Sequence, residues 1–314
     1  MAPIQLIEES EVLRRLDKAQ VLESLSTAFA GLNNGRSVQP AQTVTAFPDD
    51  LGDCIFYPGA LLDLGLIGVK VSPYLGELAA AGKYPVTAYT LLLSSSDGRP
   101  ILLCDSYALT MVRTAATTAL AIQHLAGDDA RSLALIGTGK VGREHLRFVL
   151  EGRSWEGVRV FSPSAAAPGE RQDLLTSEFP DAGLTFATTA ADAVRDADVV
   201  MLCTSSGTPV VERDWIGPKA LVTSISTNVP GAHEIDPAWL SDFDVFCDYR
   251  ATAPVTAGEM KNAIEEGTWD AGSIVADLPE LVAGASRGTS GRPAFFRSTG
   301  LGIEDLAIAS LLVE

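Results

Sequence analysis

The stretch RSLALIGTGKVG, at residues 131–142, joins an apolar segment directly to a glycine-rich turn. Residues 133–136 have the composition of a buried strand, glycines follow at 137, 139 and 142, and a helix-like segment, REHLRFVLEG, comes next. In this order the first glycine permits a tight turn, the second lets backbone approach a pyrophosphate, and the third lets helix and strand pack closely. Amide groups at the start of the helix would bind the pyrophosphate. The stretch predicts a dinucleotide-binding turn, with contacts from Gly137, Thr138, Gly139, Lys140, Val141 and Gly142.

Further apolar runs alternate with helical stretches at residues 158–161, 198–203, 220–226 and 243–247. Such runs are typical of a parallel sheet that is covered by helices on both faces, and they predict an α/β fold with a Rossmann domain. Ligands of these sheets bind beyond the carboxyl ends of the strands. The polar side chains expected around that crevice are Ser162, Ser164, Thr204, Ser205, Ser206 and Ser226.

The first 120 residues have a different pattern. Short strand-like runs predict a mostly antiparallel sheet, and Asp97-Gly98 between the last two is a hairpin turn signal. Asp17 is expected to cap a helix over residues 17–32, and a helix over 303–312 is expected to return to this part. The four runs lie at residues 53–57, 66–72, 86–93 and 100–104, and a helix is predicted from residue 107 to 125.

Composition restricts the partners. The 314 residues carry a net charge of −17, which argues against nucleic acid and anionic membranes, since both attract basic patches. No apolar run reaches the roughly 18 residues of a membrane-spanning helix, and the acidic N-terminus does not have the pattern of a signal peptide. The four cysteines have neither zinc-ligand spacing nor the spacing of a disulfide framework. We expect buried thiols, no metal site and a cytoplasmic protein.

Two cationic residues in the first half are candidates for chemistry. Lys70 lies within a strand-like run between glycine and serine neighbours on one face, which leaves room around its amine. Arg113 lies near the start of an Ala/Thr-rich helix, where its planar fork suits a carboxylate or phosphate. An exposed edge-strand lysine and a surface ion pair are the alternative interpretations.

The chain resembles the ornithine cyclodeaminase/mu-crystallin family over nearly its whole length. The matching segments are Gly68-Val-Lys70, Asp97-Gly98, Leu109-Thr110, Arg113-Thr-Ala-Ala116, Gly137-Thr-Gly139 and Phe296-Arg-Ser-Thr-Gly-Leu-Gly-Ile-Glu-Asp305. The resemblance implies a substrate-binding and dimerisation domain of residues 1–119 and 298–314, into which a Rossmann domain of residues 120–297 is inserted. It also implies a bound NAD(P), a homodimer, and a substrate that faces Lys70 and is held by Arg113 through its carboxylate. Cofactor contacts are implied at Thr114, Ser298, Gly300 and Leu301.

Two departures from the family pattern bear on the reaction. Many members carry a second carboxylate-binding arginine at the position of Gln42, which has hydrogen-bond donors but no charge. Cyclodeaminases carry an aspartate at the position of Asn228, and an amide cannot accept a proton at neutral pH. Cyclodeamination requires repeated proton transfers, whereas reduction of a C=N bond requires less.

The sequence therefore favours an NAD(P)H-dependent reductase of imino acids or ketimines, in which Lys70, with a pKa lowered by burial and by Arg113, supplies the proton. Three alternatives remain: an ornithine cyclodeaminase-type lyase with tightly bound NAD, an opine-like or N-substituted amino acid dehydrogenase, and a non-catalytic NADPH- or ligand-binding protein like mu-crystallin.

The choice of cofactor depends on the end of the second predicted strand of the Rossmann domain. NAD-binding domains usually carry an acidic residue there for the ribose hydroxyls. This chain has Ser162-Pro-Ser164 with no acid before Glu170, and Arg171 follows. The sequence favours NADP over NAD.

Overall fold

The computed structural model describes residues 4–76, 78, 87–226, 231–287 and 291–314. It contains two compact units, Met1–Ala116 with Gly300–Glu314, and Thr117–Thr299. The first unit has a mixed sheet and the second a parallel sheet, so the predicted α/β fold class is confirmed. No helix in the described ranges is long and apolar enough to span a membrane.

The first unit is built on a seven-stranded sheet of order β1-β7-β6-β5-β4-β2, with β3 paired to β4; only β1 and β7 run parallel. The strands are β1 (Gln5–Ile7), β2 (Ser37–Val38), β3 (Thr43–Ala46), β4 (Gly52–Leu61), β5 (Leu66–Leu75), β6 (Tyr89–Ser94) and β7 (Pro100–Asp105). The helices are α1 (Glu9–Arg15), α2 (Lys18–Asn33), α3 (Tyr107–Leu125) and α10 (Gly302–Ser310). Helix α3 begins in the first unit and ends in the second. Asp17 caps α2 as predicted, by accepting a hydrogen bond from the amide of Gln20 at 3.0 Å.

Helix α10 is the core helix of the first unit. Residues 302–309 are all buried, and the helix packs on α2 and on strands β4, β5 and β6. Its start fits against β4 only because glycines meet there: a Cβ at Gly302 would overlap the carbonyl oxygen of Pro58, and one at Gly59 would lie 3.1 Å from the amide of Ile303. This close approach brings the first turn of α10 beneath β4 and β5.

The second unit has an eight-stranded, wholly parallel sheet of order β10-β9-β8-β11-β12-β15-β13-β14. Its strands are β8 (Ser132–Ile136), β9 (Gly157–Phe161), β10 (Leu184–Phe186), β11 (Val199–Leu202), β12 (Leu221–Ser224), β13 (Asp244–Cys247), β14 (Ile274–Asp277) and β15 (Ala294–Arg297). Its helices are α4 (Lys140–Gly152), α5 (Glu170–Glu178), α6 (Ala190–Val194), α7 (Ala253–Thr256), α8 (Gly258–Glu265) and α9 (Leu278–Val282).

The four neighbouring strands β11, β12, β15 and β13 consist entirely of buried residues, as expected for strands covered on both faces. The chain runs outward from β8 to β9 and β10, then returns to β11 beside β8. The strand order therefore reverses between β8 and β11, which is where ligands of doubly wound sheets bind.

Candidate active site

Lys70 is buried at the centre of the sheet of the first unit, with only 2% of its surface exposed. It lies in the middle of β5, between Tyr57 of β4 and Thr90 of β6 in the strand register. Its Nζ lies 2.9 Å from Asp305 Oδ2 and 3.4 Å from Thr110 Oγ1. The interpretation of Lys70 as an exposed edge-strand residue is therefore wrong.

The environment of Lys70 lowers the pKa of its amine from 10.5 to about 8. Burial has the largest effect, because a charged amine loses its hydration; Asp305 opposes that effect, and the nearby Arg113 adds to it. The Nζ also lies 4.2 Å from the centre of the Tyr57 ring, and burial raises the pKa of that phenol to about 12. The amine can therefore gain or lose a proton near neutral pH while Tyr57 stays protonated.

Arg113 lies on the inner side of α3 and is also buried. Its Nη1 lies 3.2 Å from Glu304 Oε2, and its Nε lies 3.4 Å from Asp305 Oδ1. Gly300, with φ of +81°, precedes α10, and a Cβ there would overlap the Arg113 guanidinium. The ion pair is thus buried, contrary to the surface ion pair that the sequence left as an alternative.

Four charged side chains therefore form one buried cluster: Lys70, Arg113, Glu304 and Asp305. The sequence pattern alone did not indicate that the two carboxylates belong to it. A signal was present, since Glu304 and Asp305 are adjacent acids in the otherwise apolar segment GIEDLAIAS. Their position in the first turn of α10 is electrostatically favourable at a helix N-terminus. The two cations and two anions balance.

The other predicted residues of the first unit lie just before β3, on α3 and at the start of α10. Gln42 is half-buried just before β3, and no hydrogen bond joins it to Lys70 or Arg113 among the described residues. Its neighbour Gln39, which sequence reasoning missed, accepts a hydrogen bond from the amide of Ile303 at 3.0 Å. Thr114, Gly300 and Leu301 lie in the same unit, on α3 and at the start of α10.

In the second unit, the glycine turn has the geometry that its sequence predicts. Gly137 has φ of +102°, and a Cβ there would overlap the carbonyl of Cys203. A Cβ at Gly142 would overlap the carbonyl of Gly137. At Gly139, by contrast, no described heavy atom lies within 4 Å of a built Cβ. The open space lies where α4 starts at Lys140, with no side chain capping the helix, so the turn fits a pyrophosphate.

Hydroxyl groups cluster at the end of β9. Thr138 Oγ1 lies 2.7 Å from Ser162 Oγ, which lies 3.1 Å from Ser164 Oγ. Arg171 donates from Nη1 to the carbonyl of Thr138 at 3.3 Å. The structure brings together the three hydroxyls and the arginine at the strand end that receives the adenosine ribose in Rossmann domains.

The predicted residues after β11 and β12 also lie together. Ser226 Oγ donates to the carbonyl of Ser206 at 2.7 Å, and the amide of Ser206 donates to Thr204 Oγ1 at 3.1 Å. Ser205 lies between Thr204 and Ser206 in the chain. The buried Ser298 follows β15, and its amide donates to the carbonyl of Ser224 at 3.1 Å. Asn228 lies outside the described residues.

Comparisons with known proteins place nearly the whole chain in one family. A profile of the ornithine cyclodeaminase/mu-crystallin family matches residues 3–314. The NAD(P)H-dependent anabolic L-arginine dehydrogenase DauB of Pseudomonas aeruginosa is 44% identical over 310 residues, covering 98% of this chain and 95% of that protein. The iminosuccinate reductase of Paracoccus denitrificans is 29% identical over 311 residues, covering 98% and 95%. The Delta(1)-pyrroline-2-carboxylate reductase of Thermococcus litoralis, solved with NADH and L-proline, matches with a TM-score of 0.88 at 27% identity, covering 98% and 96%.

Proposed function

This chain belongs to the ornithine cyclodeaminase/mu-crystallin family, and we propose that it is an NAD(P)H-dependent oxidoreductase that interconverts imino acids and amino acids. The observation that carries the proposal is the buried amine of Lys70, whose pKa is lowered to about 8 next to Asp305 and Arg113. The three named relatives are dehydrogenases or reductases that act at carbon–nitrogen bonds.

The charge of the cluster suits a zwitterionic substrate. Lys70 and Arg113 balance Glu304 and Asp305, so a ligand with one carboxylate and one iminium or ammonium group adds no net charge to a buried region. In our proposal the guanidinium of Arg113 holds the carboxylate with two parallel hydrogen bonds. L-Arginine and its imino acid are the first substrates to test, because a relative of 44% identity is named for that amino acid.

The proton chemistry is assigned to Lys70. The reduced nicotinamide supplies a hydride to the imine carbon, and the imine must be protonated to accept it. The Lys70 ammonium provides that proton or stabilises it on the nitrogen, and Asp305 holds the ammonium at 2.9 Å. In the oxidative direction the neutral amine accepts the proton. The lowered pKa keeps both forms of Lys70 accessible near neutral pH.

We assign the second unit to the cofactor. The turn from Gly137 to Gly142 would hold the pyrophosphate, and the hydroxyls of Ser162 and Ser164 with Arg171 would hold the adenosine 2′-phosphate of NADP. The remaining contacts that we propose from this unit are Thr204, Ser205, Ser206, Ser226 and Ser298.

We assign the first unit to the substrate and to a homodimer. The face of its sheet opposite Lys70 is apolar and only half-buried, and a second copy of the chain would cover it. The half-buried residues of that face are Ile67, Val69, Val71, Leu91, Leu93 and Leu103. Four buried free cysteines fit the reducing cytoplasm.

The test is oxidation of NADPH and NADH in the presence of cyclic imino acids and of mixtures of 2-oxo acids with ammonia, with L-arginine, L-ornithine and L-proline as substrates for the reverse reaction. We expect net consumption of the reduced cofactor by the wild type, and loss of consumption in Lys70→Met with cofactor binding unchanged. Release of ammonia from L-ornithine without net change in the cofactor would instead identify a cyclodeaminase. Binding of NADPH with no turnover of any substrate would also refute the proposal.

A further inference from the structure

Glu234 is a fully buried carboxylate with five hydrogen-bond donors in the second unit. Its Oε1 accepts from the amide of Thr204 at 2.8 Å and from the Thr204 hydroxyl at 2.7 Å. Its Oε2 accepts from the Ser224 hydroxyl at 2.8 Å and from the amides of Ile225 and Ser226 at 3.0 and 3.2 Å. One side chain therefore satisfies three backbone amides and two hydroxyls.

The two oxygens of Glu234 serve different strands. Thr204 follows β11. Ser224 is the last residue of β12, the neighbouring parallel strand, and residues 225 and 226 follow it. Hydrogen bonds to a charged acceptor are about twice as strong as neutral ones, and a buried amide left without an acceptor is costly. Glu234 therefore fixes the exits of β11 and β12 relative to each other.

Ser226 is held from its opposite side as well. Its carbonyl oxygen accepts a hydrogen bond from the guanidinium of Arg297, and its hydroxyl donates to the carbonyl of Ser206 at 2.7 Å. Arg297 is fully buried and forms an ion pair of 2.8 Å with the equally buried Glu259. The amide, carbonyl and hydroxyl of Ser226 are thus all engaged in hydrogen bonds.

From this geometry we infer that Glu234 is a positioning residue for the nicotinamide half of the cofactor, because it fixes the backbone of Thr204 and Ser226. The inference rests on the proposed function. In a doubly wound sheet, the strands on one side of the reversal bind the adenosine half and the strands on the other side bind the remaining half. Strands β8, β9 and β10 form the first group here, and β11 and β12 begin the second.

Glu234→Gln tests the inference with little change in volume. An amide has one acceptor oxygen, so its NH₂ group would face the amide of Thr204 or the amides of residues 225 and 226. We expect the dissociation constant for NADPH, measured by calorimetry, to rise about tenfold. We expect the constant for adenosine 2′,5′-bisphosphate, which lacks the nicotinamide half, to stay within twofold. Glu234→Asp, which keeps the charge, should recover part of the NADPH affinity.

Asp198 offers a matched control in the same sheet, at the amino-terminal ends of the strands. Its Oδ2 accepts from the amides of Arg131 and Ser132 at 2.8 Å each and from the Ser132 hydroxyl at 2.7 Å, so it joins the starts of β8 and β11. Asp198→Asn should lower the melting temperature and leave both dissociation constants unchanged. The comparison separates positioning of the cofactor from stabilisation of the sheet.

The outcomes distinguish the inference from the proposed function. Unchanged NADPH affinity in Glu234→Gln, or an equal loss of affinity for NADPH and the bisphosphate, would overturn the inference while the proposed function stands. A wild type that binds neither NADPH nor NADH would refute both. If Glu234→Gln does not fold, Ser224→Ala removes one donor to the same carboxylate, and it should show a smaller loss with the same selectivity for NADPH.

Discussion

Asp305 and Lys70 form a buried ion pair, with Oδ2 and Nζ 2.9 Å apart although the two residues are 235 positions apart in the chain. The carboxylate favours the ammonium form of Lys70, whereas burial and the guanidinium of Arg113 favour the neutral amine. Burial has the largest effect, and the pKa of Lys70 falls to about 8. The proton affinity of the proposed acid therefore depends on Asp305.

The pH dependence of imine reduction follows from this pair. The reaction needs the ammonium, which is present below pH 8, so kcat/KM for the imine should fall about tenfold per pH unit above that value. Asp305→Asn removes the charge that raises the pKa of Lys70, and the falling part of the profile should move to lower pH. Steady-state kinetics from pH 6 to 10 measure this shift, with the pH range chosen around the pKa of about 8.

Glu304→Gln is the control for that experiment. It neutralises the neighbouring carboxylate, which contacts Arg113 and has a smaller effect on the pKa of Lys70. The shift in the pH profile should therefore be smaller than for Asp305→Asn. Equal shifts in the two variants would contradict the assigned role of Asp305.

Arg113→Lys should impair recognition of the substrate carboxylate. Lysine keeps the charge that balances the buried Glu304, so the fold should persist, but it has no planar fork for two parallel hydrogen bonds. We expect KM for the amino acid to rise by roughly one to two orders of magnitude with a smaller change in kcat. An equal rise for the corresponding amino acid amide, which lacks the carboxylate, would show that Arg113 acts elsewhere.

Arg171→Glu should change the cofactor preference. Arg171 contacts the backbone carbonyl of Thr138, whose hydroxyl pairs with that of Ser162. A carboxylate at position 171 would repel a 2′-phosphate bound there and accept hydrogen bonds from a ribose. We expect the dissociation constant for NADPH to rise about tenfold or more and that for NADH to stay equal or fall. Arg195→Glu, an exposed arginine between α6 and β11, is the control and should affect both cofactors equally. A wild type that prefers NADH would refute the assignment.

His145 should make stability depend on pH. Its Nδ1 lies 2.8 Å from the carbonyl oxygen of Val141, its Nε2 lies 3.0 Å from Thr118 Oγ1, and burial lowers its pKa from 6.5 to about 4. Between pH 4 and pH 6.5, His145 is therefore protonated to a greater extent in the unfolded chain than in the folded protein. The free energy of unfolding should fall as the pH drops below 6.5, by up to about 1.4 kcal/mol per pH unit.

Urea unfolding at pH 7 and pH 5 compares the wild type with His145→Gln. The variant should lose less stability on acidification, because it lacks the group that protonates on unfolding. His124→Gln is the control: that histidine is exposed, its pKa is lowered less, and its replacement should reduce the pH dependence less. Identical slopes for the wild type and His145→Gln would contradict this account.

The elements that the sequence predicted well have strong local signals. The glycine turn follows an apolar strand, and the structure gives Gly137 the positive φ that the turn requires. Asp97-Gly98 separates β6 and β7, with Gly98 at φ of +71°. Lys70 lies within a strand, as its alternating neighbours indicate. The comparisons confirm the resemblance to the family that was based on these segments.

Other elements have no such signal. Strand β15 has four residues, was not predicted, and lies between β12 and β13 although it follows both in the chain. Strand β4 was predicted to end at Tyr57 but continues through Pro58 to Leu61. Four residues are too few to show a period, and the order of strands depends on packing between distant segments.

The candidate site shows the same limit. Local pattern and family resemblance singled out Lys70 and Arg113, but not their partners. Asp305 is 235 residues from Lys70, and Glu304 is 191 residues from Arg113. Such pairs are set by where α10 packs, and no spacing along the chain encodes that position. The roles proposed for these residues in catalysis remain predictions.

The path of residues 294–310 has a consequence for biosynthesis. Strand β15 fills the middle of the parallel sheet, and a few residues later α10 fills the core of the first unit. During translation, neither core is complete until residues 294–310 have left the ribosome, although most of each unit has been made long before. Nascent chains therefore expose two unfinished cores together, and residues 294–310 complete both within seconds at ordinary elongation rates of about 5–20 residues per second. We expect newly made chains to depend on chaperones during this interval.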